Sequence, residues 1–301
     1  MSPEYDVIIV GAGTAGLSAA LILGRARRRV RLLDWGSPRN APARTSNGVF
    51  TRDGTPPDEL ARLACAQLAP YETVSVTRVP ALGARELDGG FEVNLEGGQV
   101  ITCRKLLLAH GVVDEMPAIP GVPELWGSAV FHCPYCDGWE VRDQPLAFHP
   151  NGDGEAALNM ARLLLCWSRD LVLCTNGQTL LSKDDRRMLE RWGVGVREEP
   201  MVRIEACDTE AAQIVFQGGG ALARRALVLH PHQHLACDMA LTLGCTLDDK
   251  GLLSVDPRGE TAVPGVYAAG DIITGIQMVI RAAASGATAA VGINNALALD
   301  V

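Results

Sequence analysis

The sequence predicts an α/β protein, because three of its segments place a glycine-containing turn between an apolar strand and a helix. The first turn is residues 11–16, the second is residues 152–157, and the third ends in Gly270 and Asp271. Strands that alternate with helices in this way are typical of parallel sheets. A chain of 301 residues is long enough for one large domain or two medium ones.

The first segment, residues 5–34, has the order of a dinucleotide-binding βαβ unit. Gly11 allows a tight turn, Gly13 lets backbone approach a pyrophosphate, and Gly16 permits close helix–strand packing. The N–H groups and dipole at the start of the following helix favour phosphate. The second strand ends in Asp34, where a carboxylate can accept hydrogen bonds from ribose hydroxyls. Because all the parts occur in order, the segment strongly indicates a bound dinucleotide.

The second motif is the CxxC pair Cys133 and Cys136. A four-ligand zinc site usually needs a second pair of ligands at comparable spacing, and the chain has no other CxxC. Beside a dinucleotide fold, the pair is therefore predicted to be a redox-active disulfide. His132 and Asp137 flank it and are candidates for proton transfer. The structural alternatives are a helix N-cap for Asp137 and a packed or hydrogen-bonded ring for His132.

Composition narrows the function classes further. The net charge of −8 argues against a nucleic-acid surface. No signal peptide and no 20-residue apolar span are recognisable, so no membrane association and a cytoplasmic location are expected. The seven cysteines outside the CxxC are expected to be small buried hydrophobes. His230, His232 and His234 alternate, but nothing completes a ligand set, so no metal is expected.

Proline and glycine positions suggest how the chain is divided. We expect a first part of a cofactor domain at 1–112, an inserted segment carrying the CxxC at 113–240, and the second part of the cofactor domain at 241–301. Residues 35–60 form a long loop that either folds over a cofactor or lies on the surface. The predicted fold is thus two Rossmann-like dinucleotide-binding domains, one inserted in the other.

The glycine turn, the CxxC with Asp137-Gly138 and the later Ala268-Ala269-Gly270-Asp271 together resemble the low-molecular-weight thioredoxin reductases over the whole chain. The resemblance implies an FAD domain, an inserted pyridine-nucleotide domain and a homodimer. It implies that Cys136 faces the flavin, that Cys133 is the interchange thiol and that Asp137 is the acid or base. Asp271 would contact the ribityl–phosphate part of FAD. The further cofactor contacts expected are Asn40, Gln277 and Met278.

The second glycine turn departs from that family. Gly152, Gly154 and Ala157 keep the GxGxxA spacing, but His149-Pro150-Asn151 precedes them. Proline removes an N–H where N–H groups should be presented, and Glu155 places a negative charge where a pyrophosphate should lie. The next strand ends in Thr175-Asn176-Gly177, which offers neither a cation for a 2′-phosphate nor an acid for a ribose diol. We therefore expect NADPH not to be used, unless Arg186 or Arg187 reaches the site.

Without NADPH, the electrons would come from a dithiol and leave to O2. The chain therefore resembles the thioredoxin-reductase-like dithiol oxidases that close disulfides in gliotoxin, holomycin and romidepsin, and most of all the romidepsin type. The expected substrate is a small-molecule dithiol. Tyr135 and Trp139 would line an apolar substrate surface, with core packing as the alternative. The competing functions are an NADPH- or ferredoxin-dependent disulfide reductase and a non-catalytic flavin-binding sensor.

Overall fold

The computed structural model describes residues 3–34, 36, 38–150, 152–178, 180–207 and 211–299. In chain order its strands are β1 (Tyr5–Val10), β2 (Val30–Leu33), β3 (Val74–Thr77), β4 (Ala81–Leu87), β5 (Gly90–Leu95), β6 (Val100–Leu108), β7 (Val112–Glu115), β8 (Val130–Phe131), β9 (Leu146–His149), β10 (Leu171–Cys174), β11 (Gly195–Arg197), β12 (Met201–Ala206), β13 (Ala212–Phe216), β14 (Ala221–Arg224), β15 (Ala226–Leu229), β16 (His232–Leu235) and β17 (Val266–Ala268). Its α-helices are α1 (Thr14–Arg25), α2 (Pro57–Ala66), α3 (Val122–Leu125), α4 (Pro134–Asp137), α5 (Gly154–Leu164), α6 (Lys183–Arg191), α7 (Met239–Thr242) and α8 (Val279–Leu299), and Asp271–Ile273 forms a 3₁₀ turn.

The chain divides into two compact units. The outer unit consists of Met1–Ala41, Gly48–Val113 and His234–Val301, and the middle unit consists of Pro42–Asn47 and Asp114–Gln233. The middle unit thus ends at residue 233, where the sequence suggested 240, and it includes a short segment from the first third of the chain.

Two contacts explain where the units divide. Ala236 N donates a hydrogen bond to Gly111 O at 3.1 Å, and Met239 and Ala240 lie in an apolar cluster of the outer unit, so residues 234–240 belong there. Asn47 Nδ2 donates to Cys136 O at 2.8 Å, which ties the 42–47 segment to the middle unit. Long-range contacts of this kind have no local signal in the sequence.

The outer unit is built on a seven-stranded sheet in the order β3-β2-β1-β6-β5-β4, with β17 also paired to β6. Strands β1, β2, β3, β6 and β17 are parallel to one another, whereas β4 and β5 extend the sheet as antiparallel strands. Leu108 at the end of β6 is in register with Val10 of β1 and with Ala268 of β17. The segments that follow these three strands therefore leave the sheet at the same edge.

Helices α1 and α8 pack together against this sheet. They approach closely because both contain many alanine and glycine residues, and a Cβ at Gly286 of α8 would collide with the backbone carbonyl of Ala15 in α1. The apolar cluster that joins them to the sheet includes Val7, Ile9, Ala19, Ala20, Leu23, Leu107, Ala289, Ala290 and Ile293. This packing keeps the start of α1, and with it the glycine turn, close to β1 and α8.

The middle unit contains a parallel five-stranded sheet in the order β11-β10-β9-β15-β8 and a separate antiparallel sheet, β12-β13-β14. Strand β9 is central, and helix α5 follows it as α1 follows β1. Strands β7 and β16 pair with each other where the chain passes between the two units. The short β8 leads directly into the CxxC segment.

No helix in the described residues is long and apolar enough to cross a membrane. Among the seven cysteines outside the CxxC, Cys103, Cys174 and Cys245 are buried, Cys237 is half-buried, and Cys65, Cys166 and Cys207 are exposed. The expectation that all seven are buried is therefore wrong for those three, because small cysteine side chains are also tolerated on helix surfaces and in loops.

Candidate functional site

The glycine turn of the outer unit is shaped to hold a dinucleotide. Gly11 has φ +108°, and a Cβ there would collide with the carbonyl oxygen of Ala109. A Cβ at Gly16 would collide with the carbonyl oxygen of Gly11, so this position keeps the helix close to the turn. Gly13, the N-cap of α1, has no atom within 4 Å of the place a Cβ would occupy.

The start of α1 leaves its N–H groups for a ligand. Gly13 provides no side-chain cap, and the first turn of the helix contains no acidic residue. The first N–H groups of a helix have no intrahelical acceptor, and they carry the positive end of the helix dipole. A pyrophosphate therefore fits this position both by space and by charge.

Asp34 lies at the end of β2, where the sequence placed a ribose contact. Its Oδ1 accepts a hydrogen bond from Gly36 N at 2.8 Å, and its Oδ2 lies 3.7 Å from Nε of the exposed Arg78. An ionised carboxylate has about four lone-pair sites. Asp34 therefore keeps acceptor capacity for ribose hydroxyls, and that role stays a prediction.

Asp271 and Gln277 are brought together by an arginine that the sequence did not single out. Arg39 Nη1 donates to Asp271 Oδ2 at 3.1 Å and to Gln277 Oε1 at 2.7 Å. Gln277 Nε2 donates to the Asp271 backbone carbonyl at 3.4 Å. The only available signal was the Pro38-Arg39-Asn40 run in the predicted cofactor loop.

The remaining predicted cofactor residues lie near these groups in the chain. Gly270 has φ +88°, and its N–H donates to Ser285 Oγ at 2.9 Å. A Cβ at Gly270 would lie 3.1 Å from Ala15 Cβ, close to the start of α1. Asn40 is partly buried in the turn that follows Arg39. Met278 packs next to Gly48, where a Cβ would lie 3.2 Å from the Met278 Cε.

The CxxC forms a disulfide at the start of the short helix α4 in the middle unit. Cys133 and Cys136 are bonded, with their Cα atoms 5.3 Å apart. Cys133 is the N-cap of α4, and its Sγ accepts a hydrogen bond from Cys136 N at 3.2 Å. Pro134 occupies the first helical position, where its missing N–H costs nothing. The two sulfurs therefore share one helical turn.

Asp137 is the last residue of α4, so the alternative role as a helix N-cap is wrong; Cys133 occupies that position. Burial raises the pKa of Asp137 to about 7, and the nearby Glu140 contributes to the rise. Burial has this effect because it penalises the charged form. A carboxyl group with a pKa near neutrality, next to a disulfide, can accept and return a proton at physiological pH.

His132 is packed on the side of the CxxC. Its ring stacks on that of Trp126, with the centroids 5.8 Å apart and the planes at 14°. Burial lowers the pKa of His230. A hydrogen bond between the His230 ring and the His132 backbone partly offsets this shift. These contacts favour the structural role for His132. No group of three metal-ligating side chains occurs in the part of the chain that the structure describes, including around His232 and His234.

Two aromatic side chains beside the disulfide are exposed. Tyr135 is 64% exposed and Trp139 is 65% exposed, so the core-packing alternative for them is wrong. The Tyr135 ring meets Trp167 edge-on at 5.4 Å. The Arg142 guanidinium lies over one face of Trp139, 3.9 Å from the ring centroid. The disulfide is therefore flanked by an apolar surface with a cation at its edge.

The second glycine turn differs from the first at the start of its helix. Asp153 is the N-cap of α5, and its Oδ1 accepts from Ala156 N at 3.1 Å. Glu155 lies in the first turn. A Cβ at Gly154 would lie 2.5 Å from Asp185 Oδ2, and hydrogen bonds from Ser182 lower the pKa of Asp185. Three carboxylates therefore surround this helix start. Asn151 of the same turn lies outside the described residues.

The residues at the end of β10 form hydrogen bonds with other residues of the middle unit. Thr175 is fully buried, and its hydroxyl donates to Glu198 O at 3.4 Å. Asn176 has φ +55°, and its Oδ1 accepts from Met201 N at 2.7 Å. His149 Nδ1 lies 2.8 Å from Cys174 O, and burial lowers the pKa of this ring, which keeps it neutral.

The arginines near this strand end are paired with carboxylates. Arg186 Nη2 lies 2.5 Å from Glu198 Oε1, and Arg187 Nη1 lies 3.0 Å from Asp184 Oδ1. Arg197 forms a further pair with Glu199 at 2.9 Å.

A family model described as pyridine nucleotide-disulphide oxidoreductase matches residues 5–286. The chain belongs to this family. Thioredoxin reductase sirT of Leptosphaeria maculans is 32% identical over 96% of this chain and 93% of its own length. Thioredoxin reductase aclD of Aspergillus oryzae is 31% identical over 99% of this chain and 98% of its own length. The crystal structure of HlmI matches with a TM-score of 0.90 and 38% identity, over 98% of this chain and 92% of HlmI.

As a pyridine nucleotide-disulphide oxidoreductase, the protein is a flavin-dependent disulfide oxidoreductase of the thioredoxin reductase type, and its cofactor is FAD. The expected resemblance and the two Rossmann-like sheets are confirmed. The outer unit fits FAD, because the position beside Gly13 is open and the start of α1 carries neither a side-chain cap nor an acid. The roles of the individual site residues stay predictions.

Proposed function

We propose that the protein is an FAD-dependent dithiol oxidase that closes an intramolecular disulfide in a small-molecule dithiol and uses O2 as the electron acceptor. NADPH has no role in this reaction. The observation that carries the proposal is the contrast between an intact CxxC disulfide and a second nucleotide turn whose helix start is surrounded by carboxylates.

Electrostatics at α5 disfavour a pyrophosphate. Asp153 already satisfies one of the N–H groups that a phosphate would need, and Glu155 and Asp185 add negative charge beside it. Repulsion from these carboxylates opposes the ~0.3–1 kcal/mol that the helix dipole offers an anion.

The ion pairs near the end of β10 would not by themselves prevent NADPH from binding. Exposed pairs such as Arg186–Glu198 stabilise a protein by about 0–1 kcal/mol, so either arginine is easily released. A 2′-phosphate that drew on Arg186 would nevertheless lie next to the carboxylate of Glu198. The acidic surroundings, more than any absence of arginine, therefore argue against NADPH.

Dithiol chemistry at the CxxC balances without a nucleotide. One substrate thiolate attacks Sγ of Cys133, which breaks the protein disulfide, forms a mixed disulfide and releases the Cys136 thiolate. The second substrate thiolate then attacks the substrate sulfur of the mixed disulfide and releases the Cys133 thiolate. The substrate is oxidised by two electrons, the cysteine pair is reduced by two, and two protons leave the substrate thiols.

Asp137 is suited to take one of those protons. Its pKa of about 7 makes it a base that can take up and release a proton near neutral pH. The chemistry that bound FAD supplies is transfer of the two electrons from the cysteine pair to O2, which yields H2O2. The exposed rings of Tyr135 and Trp139 favour an apolar small molecule over a charged one. The homodimer and the cytoplasmic location stay predictions.

The test is oxygen consumption by the purified holoenzyme with dithiothreitol, NADPH or NADH as the electron donor. We expect O2 uptake with dithiothreitol only, with one H2O2 formed per dithiol oxidised. Rapid NADPH oxidation would instead support a reductase, the function that the names of sirT and aclD suggest. Reduction by a reduced ferredoxin but not by dithiothreitol would support the ferredoxin-dependent alternative.

A further inference from the structure

His110 lies at the cofactor edge of the outer sheet and has no role in the chemistry described so far. It follows β6 by two residues, and the end of β6 is in register with the ends of β1 and β17. A Cβ at Gly11 would lie 2.9 Å from the His110 Cα. The histidine therefore flanks the glycine turn on the side of β6.

The protonation state of the ring follows from its contacts. His110 Nδ1 lies 3.1 Å from the carbonyl oxygen of Gly111. A carbonyl oxygen only accepts, so Nδ1 carries the proton. Burial lowers the pKa of His110, which keeps the ring neutral at physiological pH. Nε2 is consequently an acceptor with an available lone pair.

Nε2 of His110 is buried and accepts no hydrogen bond from the described part of the chain. A buried polar atom left unsatisfied costs about 1–3 kcal/mol, and such atoms in native proteins usually have a partner. A bound molecule at this edge of the sheet is the natural source of the donor.

The sheet order indicates which half of FAD supplies it. The adenosine ribose of a dinucleotide is bound on the β2 side of the glycine turn, where Asp34 lies, and β6 flanks β1 on the other side. The pyrophosphate has no N–H or O–H to donate. The flavin half has ribityl hydroxyls and an imide N–H.

We propose that His110 is a flavin-binding residue whose Nε2 accepts a hydrogen bond from a ribityl hydroxyl or the imide N–H of FAD. This role is independent of the electron donor and of the dithiol reaction. His110 would thus be a further FAD contact, at a position that none of the glycine or acidic motifs of the sequence identifies.

The test compares His110→Leu with His110→Gln in the full-length protein. Glutamine places an acceptor near the position of Nε2, whereas leucine fills the space without one. We expect the leucine variant to bind FAD about 5- to 150-fold more weakly, which corresponds to about 1–3 kcal/mol, and the glutamine variant to stay close to the parent. The readout is the fluorescence of released flavin at equilibrium. Equal affinities for the leucine variant and the parent would overturn the proposal.

A measurement on the parent protein covers the case in which the leucine variant fails to fold. The chain contains six histidines, so ¹⁵N labelling of histidine gives a resolvable spectrum, and the glutamine variant assigns the His110 signals. We expect the Nε2 resonance of His110 to shift when FAD binds, with Nδ1 still protonated. An unchanged Nε2 resonance would contradict the proposal. Neither measurement includes a dithiol, so neither outcome bears on the dithiol oxidase proposal.

Discussion

The two glycine turns of this protein have nearly the same spacing and opposite local charge. At residues 11–16 the helix begins with an uncapped glycine and no acid, and the space beside Gly13 is open. At residues 152–157 the helix begins with the capping carboxylate of Asp153, and Glu155 and Asp185 lie close by. Glycine spacing thus preserves a backbone shape, whereas the groups at the helix start decide whether the turn can bind a phosphate.

Removal of the disulfide is the change with the largest expected effect. If electrons enter through the CxxC and not through the second turn, Cys136→Ser should abolish dithiol turnover, because serine cannot form the disulfide that the substrate reduces. FAD should stay bound, since the CxxC lies outside the outer unit. Oxygen uptake with dithiothreitol and the flavin absorbance measure the two effects.

Cys166→Ser is the matched control, since Cys166 is an exposed free cysteine of the same unit. It should retain the parent rate. Turnover that survives in Cys136→Ser would mean that the disulfide is not the entry point for electrons.

Gly13→Ala tests whether the open space beside the first glycine turn binds the cofactor. Gly13→Ala adds a methyl group where the protein has no atom within 4 Å, at a backbone φ of −68° that alanine readily adopts. The methyl group should occupy ligand space and weaken FAD binding by about 1–3 kcal/mol, or roughly 5- to 150-fold. Released-flavin fluorescence measures this.

The control is Gly83→Ala in β4, which also has no atom within 4 Å of the added carbon but lies in the antiparallel part of the sheet. It should leave FAD affinity unchanged. A Gly13→Ala variant that binds FAD as tightly as the Gly83→Ala variant would show that the cofactor does not use this turn.

Asp137→Asn examines the base beside the disulfide. The pKa of Asp137 is raised from 3.8 to about 7, so its ionised fraction, and with it kcat/KM for a dithiol, should rise through pH 7 in the parent. In the asparagine variant kcat/KM should no longer rise through pH 7, and the rate should be about 10²-fold or more lower. A variant whose kcat/KM still rises through pH 7 would assign the titration to another group.

Stability gives a second readout for Asp137 that does not depend on catalysis. Because its folded pKa lies above the ordinary 3.8, ionising this group destabilises the folded state. That cost appears as the pH rises from about 4 to about 7 and persists at higher pH. Asp137→Asn should therefore have a higher Tm than the parent at pH 8 and the same Tm near pH 3. Equal Tm values at pH 8 would show that ionisation of the buried Asp137 does not destabilise the folded protein.

The smallest effect is expected from restoring the second turn. Asp153→Ser keeps an N-cap without charge, and Glu155→Gln removes the acid from the first turn of α5. Together they should improve pyrophosphate binding by about 1–2 kcal/mol, still leaving it weak. Calorimetric titration with pyrophosphate would measure the change.

The charge-matched control for this pair is Asp170→Asn with Glu205→Gln, which removes two charges from the same unit away from the α5 start. If both double variants gain affinity equally, the local arrangement of carboxylates is not what distinguishes the two turns.

Much of the architecture followed from the sequence, because glycine turns and apolar strands are local signals. The CxxC and both βα turns were recognised from spacing alone. Contacts between distant segments could not be read in this way. Arg39 meets Asp271 across 232 positions, and Asn47 meets the Cys136 carbonyl across 89. Such contacts depend on tertiary packing, which no short pattern encodes.

Two local alternatives also needed the structure. The sequence could not decide whether Asp137 begins or ends its helix, because a four-residue helix has no periodicity to read. It could not tell whether Tyr135 and Trp139 are buried, since aromatic residues beside a cysteine pair suit either a core or a binding surface. The position of Asp185 against Gly154 was likewise hidden, and it is the contact that most clearly separates the two turns.

The most direct test of the central claim is anaerobic reduction of the yellow holoenzyme, followed at the flavin absorbance band. NADPH, NADH and dithiothreitol are added in turn, and air is then readmitted. For a dithiol oxidase, we expect the band to be stable with both nucleotides, to bleach with the dithiol, and to recover in air with formation of H2O2. Rapid bleaching by NADPH would contradict this expectation, because the second turn would then bind and use the nucleotide despite its carboxylates.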